Sequence, residues 1–184
     1  MSAHTPLSQE KKKKLKTLGG LAGAYLLPEF VAFCFLELGP AIFDGAGMTL
    51  WPMAFGLMWA ICWTALLTLL PRRAGRIVFG ISYYILTIYA LVETGYYLLF
   101  GEMLWLSDFR YASEGSDYLS VLLEYPWTWW LGAAGMILLG VLVLRKFPEF
   151  SRKKREKYIA SGALAAGILT LFVLPYAVFL GDRH

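Results

Sequence analysis

The sequence predicts an all-α, polytopic membrane domain with about five transmembrane helices, and three observations carry that reading. The chain is 58% hydrophobic and only 16% charged, a balance found in membrane proteins rather than in soluble domains. Its charges are gathered into short clusters that separate long apolar runs. Those runs are about 20 residues long, the length a helix needs to cross the hydrocarbon core of a bilayer.

Residues 1–17 form a polar tail carrying Lys11, Lys12, Lys13, Lys14 and Lys16. The first span runs from Leu18 to Leu38 and is the weakest. Glu29 lies behind Pro28 near its middle, where an acid costs about 2.5–3.5 kcal/mol on insertion scales. The Leu, Phe and Val residues around it return roughly 3–5 kcal/mol at about 0.3–0.6 kcal/mol each, so the helix inserts by a small margin. A basic start before an apolar run also suits a cleaved leader ending near Gly39-Pro40-Ala41, but the run is long for a leader and contains an acid.

A short loop around Asp44 leads to a second span, Leu50 to Leu70, and the Pro71-Arg72-Arg73 turn leads to a third, Ile77 to Phe100. The segment from Gly101 to Pro126 follows, then a fourth span from Trp127 to Leu144. A basic linker from Arg145 to Lys157 precedes the fifth span, Tyr158 to Leu180, and residues 181–184 close the chain. None of the connecting pieces is long enough for a soluble domain.

Orientation follows from the positive residues, which resist translocation. The tail, the loop with Arg72, Arg73 and Arg76, and the linker with Arg145, Lys146, Arg152, Lys153, Lys154, Arg155 and Lys157 alternate with loops that hold Arg110 alone. The 101–126 segment is instead acidic, with Glu102, Asp108, Glu114, Asp117 and Glu124. The expected topology is N-terminus cytoplasmic and C-terminus extracellular. Trp51, Trp105, Trp127, Trp129 and Trp130 then fall at the outer headgroup level that indole rings favour.

Residues 103–124 read as two short interfacial helices joined at Gly115. Ser107 and Ser116 suit N-caps, Gly115 suits the position just past a helix end, and Pro126 stops the second piece. Leu104, Trp105, Leu106, Phe109, Leu119, Leu122 and Leu123 would face lipid and the acids water. Small residues four apart, Gly19 and Gly23, Gly20 and Ala24, Gly162 and Ala166, Ala163 and Gly167, predict close helix contacts in spans one and five. Cys34 and Cys62 stand about 12 Å apart along the membrane normal by helical rise, too far for a disulfide. They read as buried apolar thiols.

Catalytic motifs are sparse. His4 and His184 sit at the termini, no Cys or His group has metal-ligand spacing, and no phosphate loop, nucleophile elbow or metalloprotease helix occurs. No nucleic-acid partner is expected. The acids away from the span ends are Glu29 and Glu93, and an intramembrane acid is a functional candidate by default. Tyr89, Tyr96 and Tyr97 stand at helical neighbour spacing to Glu93 and could hydrogen-bond it, and no Lys or Arg lies in any span to neutralise either acid. The competing reading is a structural hydrogen bond between helices.

The run Tyr96-Tyr97-Leu98-Leu99-Phe100-Gly101, followed by Leu106-Ser107-Asp108 and Ala112-Ser113-Glu114-Gly115, resembles the membrane part of lipoteichoic acid synthase and related phosphoglycerol transferases. The five-span plan with an outer elbow is similar as well. The resemblance implies a bacterial plasma-membrane domain that carries an extracellular sulfatase-like catalytic domain. In the family that domain moves glycerol phosphate from phosphatidylglycerol by means of a threonine nucleophile and manganese. The nucleophile and metal ligands belong to that domain and match no position here, so no cofactor is expected in this chain. Membrane lipids, phosphatidylglycerol among them, and a catalytic domain in cis or trans are the implied partners. Glu93, Ser107, Asp108, Arg110 and Glu114 are the candidate substrate- or partner-facing residues, and Glu29 is the second intramembrane acid. A small stand-alone transporter, flippase or partner subunit is the alternative.

Overall fold

A computed structural model describes residues 6–43, 45, 47–102, 104, 124–150 and 154–181. The described residues are mostly helical and include no strand. Helix α1, Pro6–Phe33, continues through a π-helical turn, Cys34–Leu38, into α2, Gly39–Phe43. Helices α3, Trp51–Leu69, α4, Arg72–Phe100, α5, Trp127–Arg145, and α6, Lys154–Gly181, follow. Among the described residues, four segments, Leu15–Phe43, Trp51–Leu69, Arg72–Phe100 and Trp127–Arg145, are long and apolar enough to cross a membrane. The chain is a multi-pass helical membrane protein.

Helix and span do not coincide at the basic ends. The lysines of the tail and Arg72, Arg73 and Arg76 are helical, because Lys and Arg are good helix formers and charge marks the edge of the lipid, not the end of the backbone ladder. Pro71, in extended conformation, stands as the N-cap of α4. The π turn has a local cause. Pro40 cannot donate to a carbonyl one turn back and its ring would clash there. The wider turn, closed by the Gly39 N–H on the Cys34 carbonyl, moves that carbonyl away.

Helix α1 packs against α3, α4 and α5, α4 packs along α5, and α6 lies chiefly against α3. The core is aromatic. Tyr25 of α1 stacks on Trp63 at 5.9 Å and meets Phe79 edge-on at 5.3 Å; Phe79 in turn stacks on Tyr83 at 5.2 Å and touches Phe147 at 6.0 Å. Leu21, Ala24, Ala60 and Leu67 complete it. Helix α4 shows how a lipid-facing helix divides its faces. Ile77, Ile81, Ile85 and Ile88 are 60–63% exposed, a stripe at helical spacing that meets lipid. The buried face carries Ser82, Thr87 and Thr94, whose hydroxyls bond to the carbonyls of Val78, Tyr83 and Ala90 at 2.7, 2.9 and 2.7 Å. No polar atom of that face is left unpaired in a medium without water.

Glycine sets the tightest helix approaches, though not where the four-apart pairs place them. Around Gly19, Gly20, Gly23 and Gly162 there is open space. Helices α1 and α6 do make close contacts, both with α3, but these four glycines are not the points of closest approach. Ala24 is buried, and Gly167 lies directly against the Cys62 sulfur, leaving no room for a Cβ. The other close approaches are at Gly56, Gly75, Gly95, Gly132 and Gly140, each with a side chain of another element within 3.4 Å of where a Cβ would stand. Cys34 is half-buried, Cys62 is buried, and both thiols are free.

The basic residues gather at one end of the bundle. Gly75, near the start of α4, lies against Phe147 just after α5, and Thr17, Thr68, Lys146 and Lys157 line one cavity. The opposite end holds the 44–50 connection and the roots of the 101–126 segment.

Candidate functional site

The structure brings the two intramembrane acids together. Glu29 reaches from α1 across α3, its Cγ 2.9 Å from where a Cβ on Gly56 would stand. Only glycine at position 56 leaves room for the carboxylate arm. Glu93 projects from α4, close enough for its charge to be felt at Glu29. The Tyr89 hydroxyl, one helical turn along α4, hydrogen-bonds the Glu93 carboxyl and is itself within electrostatic reach of Glu29. Both carboxyls are half-buried. Gly56 is about 7–8 Å along the axis from the start of α3, and Glu93 about 10 Å from the end of α4, by helical rise. The pair therefore lies in the half of the bundle away from the basic end, not at mid-span.

Tyr96 packs on Phe100, ring centroids 4.6 Å apart, and the Tyr97 carbonyl accepts the Gly101 N–H at 2.8 Å. Gly101 is in the left-handed conformation, φ 71°, which lets the chain leave α4 sharply. Of the remaining candidates, Ser107, Asp108, Arg110 and Glu114 lie outside the described residues, and so, but for residues 104 and 124, do the interfacial helices expected over 103–124.

Three features escaped the sequence reading. Glu37, in the π turn, accepts the Thr49 N–H at 3.1 Å through Oε2 and ties α1 to the start of α3. Tyr125 donates its hydroxyl to the Gly95 carbonyl at 2.7 Å, and Trp129 donates from Nε1 to Thr94 Oγ1 at 2.9 Å. The two rings meet edge-to-face at 5.0 Å. Burial pushes the Tyr125 phenol above its ordinary pKa. A sequence cue for this clamp exists in Tyr125-Pro126, since a residue before proline is held extended, and in Gly95, the gap that receives the ring.

The arrangement is two carboxyls and a phenol gathered between three helices, without a nucleophile activated by a base. Such a group can bind a proton or a small cation, or simply join helices by hydrogen bonds. Among the described residues no cluster of three or more His, Cys, Asp or Glu is placed to hold a metal. No family model, curated protein or solved structure matches the chain.

Proposed function

We propose that this chain is a membrane-anchoring domain similar to that of the phosphoglycerol transferases, lying in a bacterial plasma membrane with its N-terminus cytoplasmic and its C-terminus extracellular. Its work is to hold the acidic 101–126 segment, and a sulfatase-like catalytic domain in cis or trans, against the outer leaflet that supplies phosphatidylglycerol. The observation that carries this reading is the clamp on both roots of that segment. One root leaves α4 through the capped turn at Gly101; the other is fixed by Tyr125 on Gly95 and Trp129 on Thr94. Roots fixed on the helices at both ends support that role, since movement there would blur the distance between a catalytic group and the bilayer. The one-sided distribution of Lys and Arg supports the orientation.

The test follows phosphatidylglycerol labelled in its glycerol headgroup, in membranes from cells that contain or lack the chain. Transfer of labelled glycerol phosphate, with diacylglycerol left behind, depends on the chain if the reading holds. Equal transfer in both membranes overturns it.

The Glu29–Glu93 pair favours a second reading, a small transporter or flippase subunit that moves a proton or cation past the two acids. Glu93→Gln, which keeps shape and hydrogen bonding but removes charge, would abolish transport by the reconstituted chain. Unchanged transport and unchanged stability would reduce the pair to a packing feature.

A further inference from the structure

At the basic end, α1, α3, α6 and the linker after α5 border an open cavity of about 950 Å³, at the upper limit of common ligand sites, roughly 300–1,000 Å³. Its lining is polar toward the basic end and apolar further along α3 and α6. Lys146 and Lys157 stand at the rim, both exposed, with Glu149 as the opposing charge. Thr68 and Thr64 follow one helical turn apart on α3, about 6 Å by helical rise. The Thr68 hydroxyl is already bonded to the Ala65 carbonyl at 2.7 Å, whereas Thr64 Oγ1 is buried in the wall with no hydrogen-bond partner. Ile61, Ala65, Ile159 and Ala163 make the rest apolar.

We propose that this cavity holds one anionic phospholipid of the leaflet at the basic end. Its phosphate lies between Lys146 and Lys157, its glycerol ester region lies at the level of Thr64, and part of an acyl chain fills the apolar floor. Charge complementarity chooses this occupant. Two ammonium groups over a hydroxyl and then over a hydrocarbon surface reproduce in order the phosphate, ester and tail of such a lipid, and basic recesses between membrane helices on that side suit anionic headgroups. A peptide helix or a second copy of the chain would cover the apolar floor but give the paired lysines no counter-charge. The small residues Ala160 and Ala163 on α6 leave the space, so the lipid becomes part of the contact between α6 and the rest of the bundle. The site is separate from the acids at the other end and holds whichever activity the chain supports.

The experiment uses the full chain in nanodiscs of phosphatidylserine and phosphatidylcholine, with retained lipids counted by native mass spectrometry. Phosphatidylserine is the probe because it is not a donor of glycerol phosphate, so this result stands or falls apart from the transfer reaction. The native chain keeps phosphatidylserine in preference to phosphatidylcholine. The Lys146→Gln/Lys157→Gln variant, altered only at exposed positions, lowers that preference about 30-fold, the factor two such charges supply at an anionic surface. Ala163→Leu fills the floor and reduces retention of both lipids, and Glu149→Gln strengthens phosphatidylserine retention. Equal retention of the two lipids by the native chain, or an undiminished preference in the double lysine variant, overturns the proposal. Displacement of the lipid by free glycerol 3-phosphate would also overturn it, by showing that the phosphate alone is bound.

Discussion

Gly140→Ala offers the sharpest check on the packing of α4 against α5. A Cβ at position 140 would stand 2.6 Å from Tyr83 Cε1, 2.9 Å from Cδ1 and 3.0 Å from the Tyr84 hydroxyl. Ordinary contact between carbons is about 3.5–4.0 Å, so the Tyr83 ring has to retreat by about 1 Å. It has nowhere easy to go. The ring is fully buried, stacks on Phe79 at 5.2 Å and donates its hydroxyl to the Met136 carbonyl at 2.7 Å. Overpacking costs about 1–3 kcal/mol, and loosening a buried hydrogen bond adds about 1–3 kcal/mol. Alanine recovers at most about 1 kcal/mol of helix propensity. The expected net loss is about 1–5 kcal/mol, read as a lowered midpoint of denaturant unfolding in detergent micelles. Gly135→Ala is the matched control on the same helix, because open space surrounds Gly135, and it should be neutral or slightly stabilising. Equal stability of the two variants would refute the packing described for Tyr83.

Other perturbations address the remaining contacts. Trp129→Phe deletes the bond to Thr94 together with part of a buried ring, and should lower stability by more than the about 0.5–1.5 kcal/mol of the bond alone in the same unfolding assay; no change would show that neither the indole N–H nor its packing contributes. Tyr125→Phe bears on alkaline stability. Burial raises the folded-state pKa of this phenol above its ordinary value of 10.0, so the stability linked to its neutral form is complete below about pH 10 and is lost as pH climbs through the folded value. The variant should therefore lose less thermal stability than the native chain above about pH 10, and parallel pH profiles would contradict the burial. Gly167→Ala should force α6 away from the Cys62 sulfur, and a small alkylating reagent would then label Cys62 faster relative to Cys34 than in the native chain. An unchanged labelling ratio would mean that α6 does not cover that thiol.

Much of the fold was legible because the bilayer imposes one dominant rule on sequence. Apolar length and flanking charge located α3 and α5 within a residue of their observed limits, Trp51–Leu69 and Trp127–Arg145. The same signal could not find the helical starts at Pro6 and Arg72, since hydropathy reports contact with lipid and says nothing of backbone bonding beyond it. Glu29 and Glu93 were visible as acids in apolar runs, whereas their meeting depends on Gly56, which carries no mark in α3 that distinguishes it as the seat of a carboxylate arm. The four-apart pairs misled for the opposite reason. Gly19 and Gly23 share a face, but small size marks a tight approach only where a neighbour comes close, and among the described residues no atom stands within 4 Å of where their Cβ atoms would be. The clamp at Tyr125 and Trp129 joins residues 30 and 35 positions from their partners, a pairing no local pattern encodes.

The position of Glu29 explains how α1 tolerates an acid. At mid-span its insertion cost, about 2.5–3.5 kcal/mol, nearly matches what its apolar neighbours return. In the bundle the carboxylate arm lies over Gly56, only about 7–8 Å from the start of α3, and within electrostatic reach of the Tyr89–Glu93 hydrogen bond. Polar groups near a helix end reach interfacial water at lower cost than those at the centre. The π turn and the Glu37–Thr49 bond hold the same end of α1 against α3, so the register that places Glu29 over Gly56 is set a few residues away. Replacing Pro40 by Ala removes the clash that widens the turn. Helix α1 then rewinds as a regular α-helix beyond Cys34, Glu37 leaves Thr49, and the Thr49 amide exchanges its hydrogen faster. Unchanged exchange at Thr49 would show that the turn is held by the bundle and not by its proline.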